Sequence, residues 1–353
     1  MDAPLVSVAA IREAVRAHGL LAGERPLVAM LSGGRDSVCL LDIAVALRSA
    51  SAVCALHVNY GLRADADADE RHCEQLCSEL GVELSVVRAG TRDPATGDDG
   101  NMQAWARALR YDAAVRLAGE RDGLIATGHT ASDQVETILY RLAASPGRRA
   151  LQGMAAADGR LVRPLLGVTR AQTAAYCEER GLRWREDASN DDERFARSRV
   201  RKQLVPALRT VHPTAESNVL RTARLLREET ELLDELVDAE LDGECVIAVE
   251  RLALLPAALA RMIVVRLAEE AVGGFVPQAG DRVEELLALA RRGGRAELHV
   301  GGGVSAVLDG GLLAMRLLAP HAGAVDTPAG AVDPLSGADE TPGGAGEAPP
   351  QAD

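Results

Sequence analysis

Apolar residues follow two rhythms along the first 145 positions. Near-continuous apolar runs, Leu27-Val28-Ala29-Met30-Leu31, Ala52-Val53-Cys54-Ala55-Leu56-His57-Val58, 82–87 and Leu124-Ile125-Ala126-Thr127, read as buried strands. Between and beyond them, 36–49, 64–80, 101–120 and 131–144 have helical length and spacing, and a short leading helix is predicted within 5–19. Strands alternating with helices of this length specify βαβ units, hence an α/β fold built on a doubly wound parallel sheet. Such sheets bind ligands beyond the carboxyl ends of their strands, at a topological switch. Residues 89–100, rich in Gly, Asp, Thr and Pro, predict a loop, and a further helix is expected over 169–180. After 210 the pattern changes. A long amphipathic helix over 214–240 carries Leu220, Leu225, Leu226, Leu232, Leu233 and Leu236. A strand at 246–249, helices at 256–271 and 280–292, and β-like pieces at 296–300, 304–308 and 312–317 then predict a smaller α+β domain. Residues 319–353 are rich in Gly, Pro, Ala and acid without any apolar period, which predicts a disordered tail. The expected domains are therefore 1–212, 213–318 and the tail 319–353.

Polar signatures cluster at the predicted strand ends. Ser32-Gly33-Gly34-Arg35-Asp36-Ser37 follows the first strand and opens a helix. Its glycines let backbone N–H groups approach an anion, and the helix start adds free N–H groups and a positive dipole end. This is a phosphate cradle in composition, although a plain capped turn has the same look. It lacks the Gly-Lys-Ser/Thr of a Walker loop and the Gly-x-Gly-x-x-Gly of a dinucleotide site. After the second strand, His57 and Asn59 are candidates for nucleotide contact and Arg63 for a phosphate. In the helix over 101–120, Arg107 lies four residues from Gln103 and shares its face, with Arg110 and Tyr111 further round. After the fourth strand comes Thr127-Gly128-His129-Thr130-Ala131-Ser132-Asp133-Gln134-Val135-Glu136-Thr137. Asp133 and Glu136, three apart, share one helix face. With Asp36 they could hold Mg²⁺ against phosphates, or one of them could orient a substrate ammonium.

Composition adds bounds. The 353 residues are 47% apolar and 26% charged, the profile of a globular chain with room for two domains. No apolar run approaches the roughly 20 residues of a membrane span, and no basic segment followed by an apolar stretch opens the chain, so no membrane association and a cytoplasmic setting are expected. The net charge of −13 is unevenly spread: −7 over 1–140, +9 over 141–227, −9 over 228–318 and −6 over the tail. A basic belt inside an acidic protein suits a selective polyanion binder. Arg141, Arg148, Arg149 and the cluster at 194–202 are candidates for a phosphate track. Six scattered cysteines read as small buried hydrophobes, and His72-Cys73 with Cys77 lacks the second Cys pair that a metal site needs.

Taken together these motifs resemble the tRNA(Ile)-lysidine synthetases, members of the PP-loop (N-type ATP pyrophosphatase) group. The resemblance rests on Ser-Gly-Gly-Arg-Asp-Ser at 32–37, His-Val-Asn-Tyr-Gly-Leu-Arg at 57–63, Ala-Arg-Ala-Leu-Arg-Tyr at 106–111 and Gly-His-Thr-Ala-Ser-Asp-Gln-Val-Glu-Thr at 128–137. Arg163-Pro164-Leu165-Leu166, Asp187-Ala188-Ser189-Asn190 and Arg197-Ser198-Arg199-Val200-Arg201 continue it; 25–225 match strongly and the next domain weakly. Tyr60, Ser132 and Ser198 depart from the His, Asp and Asn usual in the family, so the acid roles fall on Asp133 and Glu136. The resemblance implies ligation of free L-lysine to C2 of the wobble cytidine in the CAU anticodon of tRNA(Ile), with ATP giving AMP and pyrophosphate. It further implies ATP contacts from Ser32, Gly33, Gly34, Arg35, Asp36, Ser37, His57 and His129, and catalytic roles for Asp36, Arg107, Asp133 and Glu136. Mg²⁺ is expected on Asp36 and Asp133, and tRNA on Arg63, Arg110, Arg148, Arg149, Arg197 and Arg201, with the second domain gripping tRNA and a homodimer allowed. Tyr60, Trp105 or Arg110 are suited to stacking an unstacked base. Competing readings are a tRNA thiolase on the same loop, which would want a Cys pair near the nucleotide, an amidotransferase-type synthetase acting on small metabolites, which no N-terminal Cys glutaminase segment supports, and a nucleotide-sensing module without chemistry.

Overall fold

A computed structural model describes residues 7–61, 65–89, 101–144, 148–185 and 196–318. Arg63, the Asp-x-Ser-Asn element at 187–190, most of the expected loop at 89–100 and the tail from 319 lie outside these residues.

The first half of the chain runs α1 (Val8–Ala17), β1 (Leu27–Met30), α2 (Arg35–Arg48), β2 (Val53–Asn59), α3 (Ala66–Leu80), β3 (Glu83–Arg88), α4 (Asn101–Glu120), β4 (Leu124–Ala126) and α5 (Ala131–Ala144). It continues through α6 (Arg148–Leu151), β5 (Ala157–Asp158), β6 (Leu161–Val162), α7 (Arg170–Glu179), α8 (Ala196–Arg199), a π-helical turn (Val200–Leu204) and α9 (Val205–Val211). The strand order is β3-β2-β1-β4-β6-β5, parallel except for the edge pair β5–β6. Leu27 pairs with both Val53 and Leu124, so β1 is central. The chain winds outward through β2 and β3, then returns to build β4 on the other side of β1. The strand order therefore reverses between β1 and β4, and the crevice at their carboxyl ends is the expected ligand position.

Alternation along the strands feeds two cores. Leu27, Ala29, Val53 and Ala55 face Ile11 and Val15 of α1, Leu40 and Ile43 of α2, Cys73 of α3 and Tyr176 of α7. Val28, Met30, Leu56 and Val58 face Ala113, Ala114 and Ala118 of α4. With both faces covered, β1 and β2 are buried at every position, which is why they appear in the sequence as continuous apolar runs. β5, β6, α6, α8 and α9 escape the sequence reading because elements of two to seven residues carry too little periodicity.

One polar knot ties the first core together. Asp42 of α2, 2% exposed, accepts hydrogen bonds from Arg12 Nη2 at 2.8 Å, Arg180 Nη2 at 2.9 Å and the Tyr176 hydroxyl. Burial alone would raise its pKa, but bonds from Arg180, Tyr176 and Arg12 outweigh that and lower it.

The second half contains α10 (Ala215–Leu241), β7 (Val246–Ala248), α11 (Val249–Leu254), α12 (Ala257–Val272), a 3₁₀ segment (Pro277–Arg282), α13 (Val283–Arg292), β8 (Ala296–Gly301), β9 (Val304–Asp309) and β10 (Leu312–Leu317). Its antiparallel sheet has the order β7-β10-β9-β8 and shares a core of Val237, Ile263, Val264, Leu286, Val304 and Leu313. The predicted strand at 246–249 stops at Ala248 because Val249 opens α11, and the helix predicted from 280 begins at Val283 after the 3₁₀ segment. Two compact units divide within α10, between Arg224 and Leu225. The start of α10 belongs to the first because Val219 and Leu220 pack against Val135, Leu139 and Val205.

Replacing Asp42 with Ala leaves Tyr176 and two guanidinium groups without their common acceptor. Chemical denaturation should register a loss of about 2–3 kcal/mol. Because the folded pKa of Asp42 lies below its unfolded value near 4, this stability is present above about pH 4 and lost as pH falls through the folded value. The wild type and the variant should therefore converge in strong acid.

Candidate active site

Two strand–turn–helix junctions meet across the switch point. In the first, residues 31–34 link β1 to α2. Gly33 has φ +81°, which a residue with a Cβ rarely adopts, and its Cα faces Cys73 Sγ and the His72 ring. Ser37 braces the turn: its hydroxyl donates to Gly34 O at 2.7 Å and accepts from Ser32 N at 3.2 Å, while Ser32 Oγ accepts from Gly34 N. Gly34 is the N-cap of α2 and no side chain caps the helix. The first-turn N–H groups thus point into the crevice with the helix dipole behind them, an arrangement that binds phosphate. His57, buried on β2, donates from Nδ1 to Leu31 O at 2.9 Å and supports the turn from beneath.

The second junction joins β4 to α5. Gly128 lies against the first turn of α2: a Cβ there would stand 3.0 Å from the carbonyl carbon and oxygen of Asp36 and 3.1 Å from Ser37 N. Next to it, Thr127 Oγ1 and His129 Nδ1 are hydrogen-bonded at 2.8 Å. Desolvation lowers the His129 pKa to about 3; Asp133 opposes this and the charges of Arg197, Arg163 and Arg107 add to it, so the ring is neutral near pH 7. Thr130 and Asp133 form a reciprocal cap at the start of α5, with Asp133 Oδ2 accepting from Thr130 N at 2.8 Å and from its hydroxyl at 2.7 Å.

The acids Asp36, Asp133 and Glu136 converge on Arg170, the first residue of α7. Arg170 meets Glu136 Oε1 at 2.7 Å, Asp133 Oδ1 at 2.5 Å and Asp36 Oδ2 at 3.6 Å. Arg201 pairs with Glu136 at 2.9 Å, and Arg197 lies 3.6 Å from Glu136 and 3.7 Å from Asp133. The Glu136 side chain is 3% exposed and that of Asp133 12%. Burial alone would raise the pKa of Asp133, but Arg170 and Arg197 overcome it and bring it down to about 2. Asp36 accepts the Thr173 hydroxyl on Oδ1, so α7 touches both junctions.

All four catalytic candidates lie in the first unit, and three of them, Asp36, Asp133 and Glu136, form one cluster with Arg197 and Arg201. Arg107 lies on α4, its guanidinium 4.7 Å from the Tyr111 ring, with Arg110 at 5.8 Å from the same ring. Tyr60 and Trp105 form an edge-to-face pair with centroids 6.2 Å apart. Arg148 and Arg149 are half-buried on the short α6. Sequence reasoning missed Arg170 and Thr173. Their signal was a third strand–turn–helix junction, Leu161-Val162 running through Pro164-Leu165-Leu166 to the Thr169 cap of α7.

Metal fit rests on Asp36. Both Asp133 oxygens are engaged by Thr130 and arginines, whereas Asp36 Oδ2 has only the 3.6 Å approach of Arg170 among the described residues. Among the described residues no three His, Cys, Asp or Glu side chains are grouped to hold a metal, and five of the six cysteines are buried, Cys245 being exposed. One carboxylate with phosphate oxygens is a normal Mg²⁺ environment. Among the described residues no helix is long and apolar enough to cross a membrane.

A family model described as the PP-loop domain matches residues 8–208. The chain is 42% identical over 217 residues to a tRNA(Ile)-lysidine synthase of Pseudomonas fluorescens (strain Pf0-1), covering 60% of this chain and 48% of that protein. It is 35% identical over 300 residues to the tRNA(Ile)-lysidine synthase of Azoarcus sp. (strain BH72), covering 82% and 65%. The chain thus spans about half the length of the Pseudomonas relatives it matches. Among solved structures, a U34-tRNA thiolase of Methanococcus maripaludis with its 4Fe–4S cluster aligns with TM-score 0.52 at 16% identity, over 62% of this chain and 80% of that one. That likeness concerns the fold.

Gly128→Ala tests the contact between the two junctions. The new methyl group meets backbone rather than a flexible side chain, so the first turn of α2 must shift. The expected result is a stability loss of about 1–3 kcal/mol and a fall in ATP affinity of roughly tenfold or more by equilibrium dialysis.

Proposed function

The chain belongs to the PP-loop domain family, and from that premise we propose that it ligates free lysine to C2 of the wobble cytidine in the CAU anticodon of tRNA(Ile). The observation that carries this reading is the juxtaposition of an uncapped helix N-terminus with the buried acids Asp133 and Glu136 across the β1–β4 switch point. The first activates through ATP; the second receives an amine.

The reaction follows from these parts. The C2 oxygen of cytidine attacks the α-phosphorus of ATP, a P–O bond forms, and pyrophosphate leaves onto the N–H groups of residues 32–37. Ser32, Gly33, Gly34, Arg35 and Ser37 shape this cradle, while His57 and His129, the latter neutral, flank it. Mg²⁺ would be held by Asp36, since Asp133 is already engaged, and there it would neutralise phosphate charge. Arg107, with Arg197 and Arg201, supplies positive charge for the transition state. The neutral ε-amine of lysine then attacks C2, AMP departs with the former C2 oxygen, and the amine proton passes to a carboxylate. Glu136 is the acceptor assigned here, because Asp133 is held strongly ionised and is a poor base.

Substrate binding follows the charge distribution. The +9 belt over 141–227, with Arg110, Arg148 and Arg149, supplies phosphate contacts, and the Tyr60–Trp105 pair offers an aromatic surface to an unstacked base. The second unit is assigned to gripping tRNA. A cytoplasmic setting fits this substrate. A thiolase reading draws no support from the cysteines, since Cys39 and Cys54 are packed among core side chains.

Labelled lysine, ATP and tRNA(Ile) transcript with a CAU anticodon provide the test. Lysine should become tRNA-linked, and methionine tRNA with the same anticodon should accept far less. Glu136→Gln should lower turnover about 10²-fold or more, in line with loss of a general base, while ATP binding stays within about threefold. Equal labelling of both tRNAs, or full turnover in the variant, contradicts the proposal.

A further inference from the structure

Charge balance in the acid cluster points to an unassigned role for Arg170. Among the described residues, Asp36, Asp133 and Glu136 contribute three negative charges, and Arg35, Arg170, Arg197 and Arg201 contribute four positive ones at 2.5–3.7 Å. Such a cluster holds no surplus anion to receive an ammonium ion. At Asp133 and Glu136, an incoming alkylammonium gains a charge-assisted bond by replacing one that a guanidinium already makes.

The geometry singles out which guanidinium yields. Among the described residues, Arg201 pairs with Glu136 alone. Arg197 approaches both acids, but its ion-pair distances are 3.6 and 3.7 Å. Arg170 bridges Asp133 Oδ1 and Glu136 Oε1 with short bonds from Nη2 and Nη1. Its own helix is fixed without that side chain. The Thr169–Gln172 capping box closes the start of α7, the Arg170 amide donates to Ser132 Oγ at 3.2 Å, and Thr173 bonds to Asp36. The guanidinium can therefore leave the acids while the backbone carrying it stays in place.

We propose that Arg170 is a resident counter-ion standing where the substrate's primary ammonium binds, and that the amine must displace it from Asp133 and Glu136. The inference rests on the reading of these acids as the amine site. It makes Arg170 a positioning residue that holds both acids in place until the amine arrives. It also carries an unusual sign: removing Arg170 should strengthen amine binding while impairing turnover.

Titration calorimetry with free L-lysine on the full chain, without ATP or tRNA, reads the sign directly, using Arg170→Gln and Arg170→Lys. The Gln variant should bind lysine roughly three- to tenfold more tightly than wild type, and the Lys variant, which keeps a competing cation, should stay near wild type. Steady-state assays should show a lower KM for lysine with a lower kcat in Arg170→Gln. ATP affinity, measured in parallel, reports whether the fold is intact. Weaker lysine binding in a variant that still binds ATP would show that Arg170 merely supports the acids, and would overturn the inference alone. Failure of lysine to bind wild type and both variants would overturn the amine-site reading, and the inference with it.

Discussion

Carboxylate–guanidinium pairing at the β1–β4 switch point is the constraint on which the rest of the site depends. Asp133 and Glu136 are buried, and buried acids stay ionised only when paired. The pairing comes from α7, which reaches back to α5 through Arg170 and to α2 through Thr173. Without that helix the two junctions would meet only through the backbone contact at Gly128. With it they share one electrostatic system, in which Arg170 reaches Asp36, Asp133 and Glu136 together.

The sheet supplies the placement. Because β1 is flanked by β2 and β4, the helices that follow β1 and β4 begin side by side, and Gly128 lets them approach to contact. The polar knot at Asp42 then fixes α1, α2 and α7 against one another on one face. A catalytic arrangement therefore draws on residues more than a hundred positions apart with few additional interactions.

Legibility in the sequence tracked how local the cause was. β1, β2 and the helices between them were readable within one or two residues, since burial on both faces leaves unbroken apolar runs. The glycine turn after β1 and the placing of Asp133 and Glu136 on one helix were readable because glycine placement and three-residue spacing are local features. Arg170 was not, because its meaning comes from partners 34 and 37 residues away. The same holds for the boundary inside α10, which is set by Val219 and Leu220 packing on α5 and α9 rather than by any break in the helical pattern.

Mass spectrometry of the nucleosides released from tRNA(Ile) after incubation with the protein, ATP and L-lysine addresses the central claim most directly. The wobble cytidine alone should gain the mass of lysine less water, and only when both ATP and lysine are supplied. An unmodified cytidine, or a nucleoside that has gained sulfur instead, would contradict it.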